Sequence, residues 1–185
     1  MPLDATRNGL VLPMLGLLVE SPAHAYDVAG RLASRYPQLP GTRSSVTTLL
    51  KSLADAGLVQ AGEPERVGRR PARTRYELSP AGLALFRERV KEGLRDGTPA
   101  STGFLTALAY LGVLPRAVAA GVLGGRVERL RRELDGLPAD PPGLAEIQMI
   151  EVAYWREVLR TEIAWLSTLA ARVESGDLGW PGGAA

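Results

Sequence analysis

The stretch RVGRRPARTRY, Arg66 to Tyr76, places five arginines (Arg66, Arg69, Arg70, Arg73 and Arg75) within ten positions and breaks them with Gly68 and Pro71. Five guanidiniums in an interrupted loop suit one chemistry above others, charge pairing and hydrogen bonding with phosphate oxygens. A second surface of interest precedes it. From Thr42 to Gly57, Val46, Leu49, Leu50 and Leu53 fall at helical spacing, while the other face carries Arg43, Ser44, Ser45, Thr47, Thr48, Lys51 and Ser52, with acid only at Asp55. Short hydroxyl side chains and a lone lysine on an acid-poor face suit close approach to a nucleic-acid backbone and to base edges.

Other chemistries are poorly supplied. The chain has no cysteine and a single histidine, His24, which leaves no disulfide framework, no thiolate metal site and no partner for a nucleophile–base pair. GVLGGR (Gly121 to Arg126) lacks the Lys-Ser/Thr ending of a phosphate loop. These features point away from an enzyme, a metal centre or a bound cofactor.

Charge is unevenly spread. Residues 1–95 hold 14 Lys/Arg against 9 Asp/Glu, a net of +5, and residues 96–185 hold 8 against 11, a net of −3. A basic front half and an acidic back half suggest that only the front half meets a polyanion. MPLDATRNG lacks the organisation of a signal peptide. The most apolar run, Gly103 to Gly125, is cut by Pro115 and Arg116 into pieces too short to span a bilayer, so a cytoplasmic protein is expected.

The elements that position the two basic surfaces follow from periodicity. Gly9 to Val19 reads as a helix with Leu10, Met14, Leu17 and Leu18 inward, and Ala25 to Tyr36 as a second. YPQLPG supplies a turn, Thr42 begins the polar helix and Gly57 ends it. Leu58 to Ala61 and Thr74 to Leu78 read as two strands around the arginine loop. Ser79-Pro80 caps a fourth helix, Ala81 to Arg95. Three helices, a β-ribbon and a helix make a winged helix-turn-helix, with the polar helix for the major groove and the arginine wing over phosphates. The expected fold is mainly α with a small two-stranded β-wing, followed by a helical C-terminal dimerisation region.

The acidic half reads as helices from Thr102 to Leu114, from Pro115 to Leu134 and from Leu144 to Ser175. The last has two apolar stripes. One is Ile147, Ile150, Tyr154, Val158, Trp165 and Leu169; the other is Val152, Trp155, Leu159, Ile163, Leu166 and Ala170. Positions 147 and 152 lie about 140° apart around a helix. Two stripes suggest two buried contacts, one within its own domain and a second either with another copy, the economical answer, or inside a monomeric bundle. The domain boundaries are expected at 1–97, 98–175 and a disordered tail, 176–185.

The chain also resembles a known family. LGLLVESPAHAYDVAGRL (Leu15 to Leu32), SSVTTLLKSLADAGLV (Ser44 to Val59), GRRPARTRYELSPAGLALF (Gly68 to Phe86) and LAYLGVLPRAVAAGVLGGRVERLRREL (Leu108 to Leu134) are similar, in order, to segments of the PadR-type transcriptional regulators. Thr47-Thr48 stands where that family commonly has Tyr-Pro, so no tyrosine contact to DNA is carried over. The resemblance implies a dimeric repressor bound to a pseudo-palindromic operator in double-stranded DNA and released by a small hydrophobic effector. It places His24 and Tyr26 at the DNA-facing start of the second helix. It also implies pairing through the N-terminal helix (Leu10, Met14) together with Tyr154, Val158, Trp165 and Leu169. Trp155 and Trp165 are the aromatic candidates for an effector wall. A different class, a winged-helix adaptor for protein partners, would show no steep salt dependence on DNA.

Overall fold

In the computed structural model the described residues are 8–39, 41–66, 72–139, 143 and 145–181, and they form two units, 1–89 and 90–185. The first holds α1 (Val11–Glu20), β1 (Ala23–His24), α2 (Ala25–Arg35), α3 (Arg43–Asp55), β2 (Val59–Ala61), β3 (Arg75–Leu78) and most of α4 (Pro80–Asp96). The sheet has the order β1-β3-β2 and is antiparallel throughout. This is the winged helix-turn-helix order, with one element that periodicity did not show. The wing ribbon pairs with a third strand, β1, in the register Ala23 to Tyr76 and His24 to Arg75.

α1 is buried along most of its length because it is the centre of the unit rather than its cover. Met14 is 0 % exposed, and Leu10, Leu15, Leu17 and Leu18 are buried with it. The helix begins at Val11, two residues later than expected, so Pro13 falls in its first turn, where the N–H that proline lacks would have had no intrahelical partner. Val28 and Leu32 of α2, Val46, Leu50 and Leu53 of α3, Val59, Tyr76 and Phe86 complete this core. Leu10 and Met14, expected at a dimer interface, are core side chains of their own unit. Their apolar spacing on α1 is satisfied by α2 and β3.

α3 ends at Gly57, whose φ of +72° suits glycine. The return to α4 is tight. The Ser79 hydroxyl donates to the Gly57 carbonyl at 2.7 Å and accepts from the Gly82 N–H at 2.9 Å, which caps α4 and ties it to the end of α3. A Cβ on Gly82 would lie 1.9 Å from the Leu58 carbonyl oxygen, so the close approach of α4 to the chain entering β2 requires glycine there.

The second unit comprises the end of α4, α5 (Thr102–Ala109), α6 (Arg116–Asp135) and α7 (Ile150–Ser175). The helix expected to reach Leu114 stops at Ala109 and continues as a 3₁₀ turn, Leu111–Val113. The last helix is likewise preceded by a 3₁₀ turn, Glu146–Met149, and ends at Gly176 with φ +84°. Two departures concern boundaries. The division between units falls within α4 rather than after it. Part of the tail is also ordered, since the Trp180 indole donates to the Leu114 carbonyl at 3.0 Å and Gly112 lies against the Pro181 ring.

The least expected core residue is Arg126, 0 % exposed in the middle of α6. Its Nε donates to Glu162 Oε1 at 2.8 Å, its second terminal nitrogen pairs with the same carboxylate, and its first donates to the carbonyls of Leu94 (3.1 Å) and Gly97 (2.7 Å). The guanidinium also lies over the Phe104 ring, 4.0 Å from its centroid. Burial pushes the guanidinium below its ordinary pKa while Glu162 pulls it back up. An arginine stays charged under such opposing shifts. The group thus satisfies the carbonyls at the C-terminal end of α4 and holds α7 against α6. Among the described residues no helix is long and apolar enough to cross a membrane.

Ser79→Ala removes both the cap and the Gly57 contact and should cost about 1–2 kcal/mol of stability. Arg126→Ala leaves the nearly buried Glu162 carboxylate unpaired and should cost about 3–5 kcal/mol. Urea unfolding followed by far-ultraviolet circular dichroism ranks the two, and equal midpoints would show that the Arg126 network contributes little.

Candidate nucleic-acid interface

α3 starts with a complete capping box. The Thr42 hydroxyl accepts from the Ser45 N–H at 3.1 Å, and the Ser45 hydroxyl accepts from the Thr42 N–H at 2.9 Å. Ser45 also donates to the Thr42 carbonyl at 2.8 Å. Its hydroxyl, expected to face DNA, is committed to the start of the helix. Thr47 is half-buried and donates to the Arg43 carbonyl at 2.8 Å, so it offers its methyl and its remaining lone pairs outward. Ser44, Thr48 and Lys51 are exposed and lie on one face at spacings of four and three. The face thus has two free hydroxyls and one ammonium, with Arg43 at its N-terminal end.

The wing continues past its named strands. The Gly62 N–H donates to the Arg75 carbonyl at 2.8 Å, and Glu65 and Arg73 exchange both backbone hydrogen bonds at 2.9 Å. Tyr76 points into the core while Arg73 and Arg75, two residues apart, are exposed, as a pleated strand requires. Arg66 is exposed on the opposite arm. Arg69 and Arg70 lie outside the described residues. Glu63, Glu65 and Glu77 are exposed in the same ribbon as Arg66, Arg73 and Arg75, so Arg69 and Arg70 supply the wing's net positive charge.

His24 and Tyr26 connect the helix pair to the wing. His24 occupies the N-cap position of α2 without capping it by its side chain; instead its Nδ1 donates to the Thr74 carbonyl at 3.1 Å. That bond extends the β1–β3 pairing toward the wing. Tyr26 is 57 % exposed, and the Arg43 guanidinium lies over its ring, 4.7 Å from the centroid. The pair joins the first turn of α2 to the first turn of α3, a relation no spacing in the sequence announces. By contrast, Arg31 and Arg35 on α2 both pair with Glu20, which withdraws them from the basic surface.

In the second unit the two stripes of α7 separate by burial. Leu159, Leu166 and Ala170 are buried and Trp155 is half-buried, its indole donating to Glu133 Oε1 of α6 at 3.1 Å. On the other stripe Tyr154 is 70 % exposed and Trp165 52 %, with Ile150 exposed and Val158 and Leu169 half-buried, and Ile147 in the 3₁₀ turn before the helix is 73 % exposed. Trp155 and Trp165 are ten residues apart, a rise of about 15 Å along the axis. Trp155 faces α6 and Trp165 faces away, so the two do not form one wall within a chain. Among the described residues no group of three His, Asp or Glu side chains is placed to hold a metal ion.

No protein-family model matches the chain, and no curated protein does. Several solved structures are similar to it in fold. Bacillus subtilis PadR in complex with operator DNA is 18% identical, covering 90% of this chain and 99% of that one, with a TM-score of 0.43. The PadR-like transcriptional regulator BC1756 from Bacillus cereus is 14% identical over 90% and 98% of the two chains, TM-score 0.37. Bacillus subtilis PadR in complex with p-coumaric acid is 17% identical over 89% and 98%, TM-score 0.37. At these values the winged helix-turn-helix assignment rests on the element order and strand register of this chain, and its function on its own surfaces.

Proposed function

We propose that the protein is a dimeric, sequence-specific DNA-binding transcriptional regulator. The observation that carries the reading is the exposed face of α3. Arg43, Ser44, Thr48 and Lys51 are free of carboxylates for three turns on a helix that the winged fold presents to the major groove. A helix serving only as solvent cover gains nothing from that exclusion. The arginine wing adds the sequence-independent part. Arg66, Arg69, Arg70, Arg73 and Arg75 would displace counterions from phosphates, while Thr48 and Lys51 choose bases.

The exposed stripe of α7 supports a second copy as the other partner. Ile150, Tyr154 and Trp165, continued by Ile147 in the preceding 3₁₀ turn, offer apolar area on a helix whose opposite stripe is already covered by its own unit. A two-fold pair would read two half-sites of a pseudo-palindromic operator. In this reading the protein acts as a repressor, and a flat hydrophobic effector meets the Trp165 side of α7 and favours a dimer geometry unsuited to DNA.

Arg70→Ala with Arg73→Ala should weaken binding to all double-stranded DNA. It should also flatten the slope of log affinity against log salt, by about 0.9 for each phosphate no longer neutralised. Thr48→Ala with Lys51→Ala should instead narrow the gap between the chain's own upstream DNA and a scrambled fragment. Anisotropy titrations at several salt concentrations separate these effects, and a salt-independent affinity would favour a protein-binding adaptor.

Tyr154→Glu with Trp165→Glu should shift the protein from dimer to monomer in sedimentation equilibrium while its circular dichroism stays native. A dimer that persists in this variant would place the interface elsewhere.

A further inference from the structure

The contact between Tyr26 and Arg43 joins two helices at the point where α3 begins, and neither side chain needs it for the core. Tyr26 is more than half exposed and Arg43 is exposed, so burial does not hold them together. What holds them is the attraction of a guanidinium for the face of an aromatic ring. That contact uses the π face of tyrosine as the acceptor and so leaves the in-plane N–H donors of arginine free for other partners. Arg43 makes no ion pair with any described residue. A long side chain at the first position of a recognition helix otherwise samples many rotamers, and immobilising it costs free energy on binding.

Resting on the DNA-binding reading, we infer that Tyr26 is a positioning residue. It fixes the guanidinium of Arg43 beside the N-terminal turn of α3, so that Arg43 reads a guanine edge in the major groove as a preset fork. Residues at the N-terminal end of a recognition helix are those that reach base edges, and an arginine fork matches the O6 and N7 acceptors of guanine. Tyr26 has its own support. It follows His24, whose strand pairing and Thr74 contact tie the start of α2 to the wing base. The ring is therefore carried on the same framework that orients the wing.

The test uses the full-length protein. A double-stranded DNA library with a random core is enriched on the wild type, and the enriched site and a scrambled copy are then titrated with wild type, Tyr26→Phe, Tyr26→Leu, Arg43→Gln and the Leu/Gln double variant. Phenylalanine keeps the ring and should match wild type. Leucine should lose about two- to fivefold in the ratio of enriched to scrambled affinity. Arg43→Gln should lose about fivefold or more and relax one guanine position, and the double variant should be no worse than Arg43→Gln alone. Independently of DNA, the Arg43 Nε–H resonance should carry a ring-current shift in wild type and Tyr26→Phe that disappears in Tyr26→Leu. A resonance unmoved by Tyr26→Leu overturns the inference while leaving DNA binding intact. Additive losses, or a defect in Tyr26→Phe, would show that tyrosine touches DNA itself and overturn it as well. Failure of the wild type to enrich any sequence removes the DNA-binding reading, and this inference with it.

Discussion

The first unit depends on β3 having a partner on each edge. Arg75 and Tyr76 pair with β1 on one side, and Tyr76, Glu77 and Leu78 pair with β2 on the other, so Tyr76 is held from both edges. Those pairings do more than satisfy the backbone. β1 runs directly into α2, β2 follows α3 after the Gly57 turn, and β3 leads through Ser79 into α4. One short central strand thereby fixes where three helices begin or end. Its alternation also decides which side chains face out, since Tyr76 anchors the strand inward and Arg75 is exposed as a consequence.

The electrostatics of this unit are more selective than its net charge suggests. Both arginines of α2 are consumed by Glu20, and three glutamates stand beside the described wing arginines. Among the described residues, what remains without a neighbouring carboxylate is the face of α3. Surface ion pairs of the Arg31–Glu20 kind contribute little to stability. Their effect is on the field, which they weaken over α2 and leave concentrated on α3. The hydroxyl groups divide in a similar way. Thr42 and Ser45 serve the helix start, while Ser44 and Thr48 are left facing out.

Much of this is legible in the sequence because it rests on repeating patterns. The stripe Val46, Leu49, Leu50 and Leu53 is buried as its spacing demands, and Ser79-Pro80 starts α4 as its residue types demand. β1 is not legible, because two residues carry no alternation. Ser45 is ambiguous because a serine at the third helical position caps or contacts DNA with equal propriety, and the usual glutamate of a capping box is absent. Leu10 and Met14 have the spacing of an exposed seam and of a core helix alike. Arg126 gives no signal, since its carboxylate partner lies 36 residues away on another helix. The contact between Tyr26 and Arg43 is likewise a product of tertiary placement.

Arg126 and Trp155 explain why the second stripe of α7 is left exposed. A helix with two apolar faces has no intrinsic preference for which face it buries. Polar links remove that freedom: Trp155 bonds Glu133, and Glu162, two turns later on the same face, accepts from Arg126. Burying the other face would leave Arg126 in the core without its carboxylate, at a cost well above the gain from any single aromatic side chain. The rotation of α7 is therefore set by two hydrogen-bonded polar groups rather than by hydrophobicity. The apolar row from Ile147 to Trp165 is then held outward by the fold itself, whether or not a second chain is there to cover it.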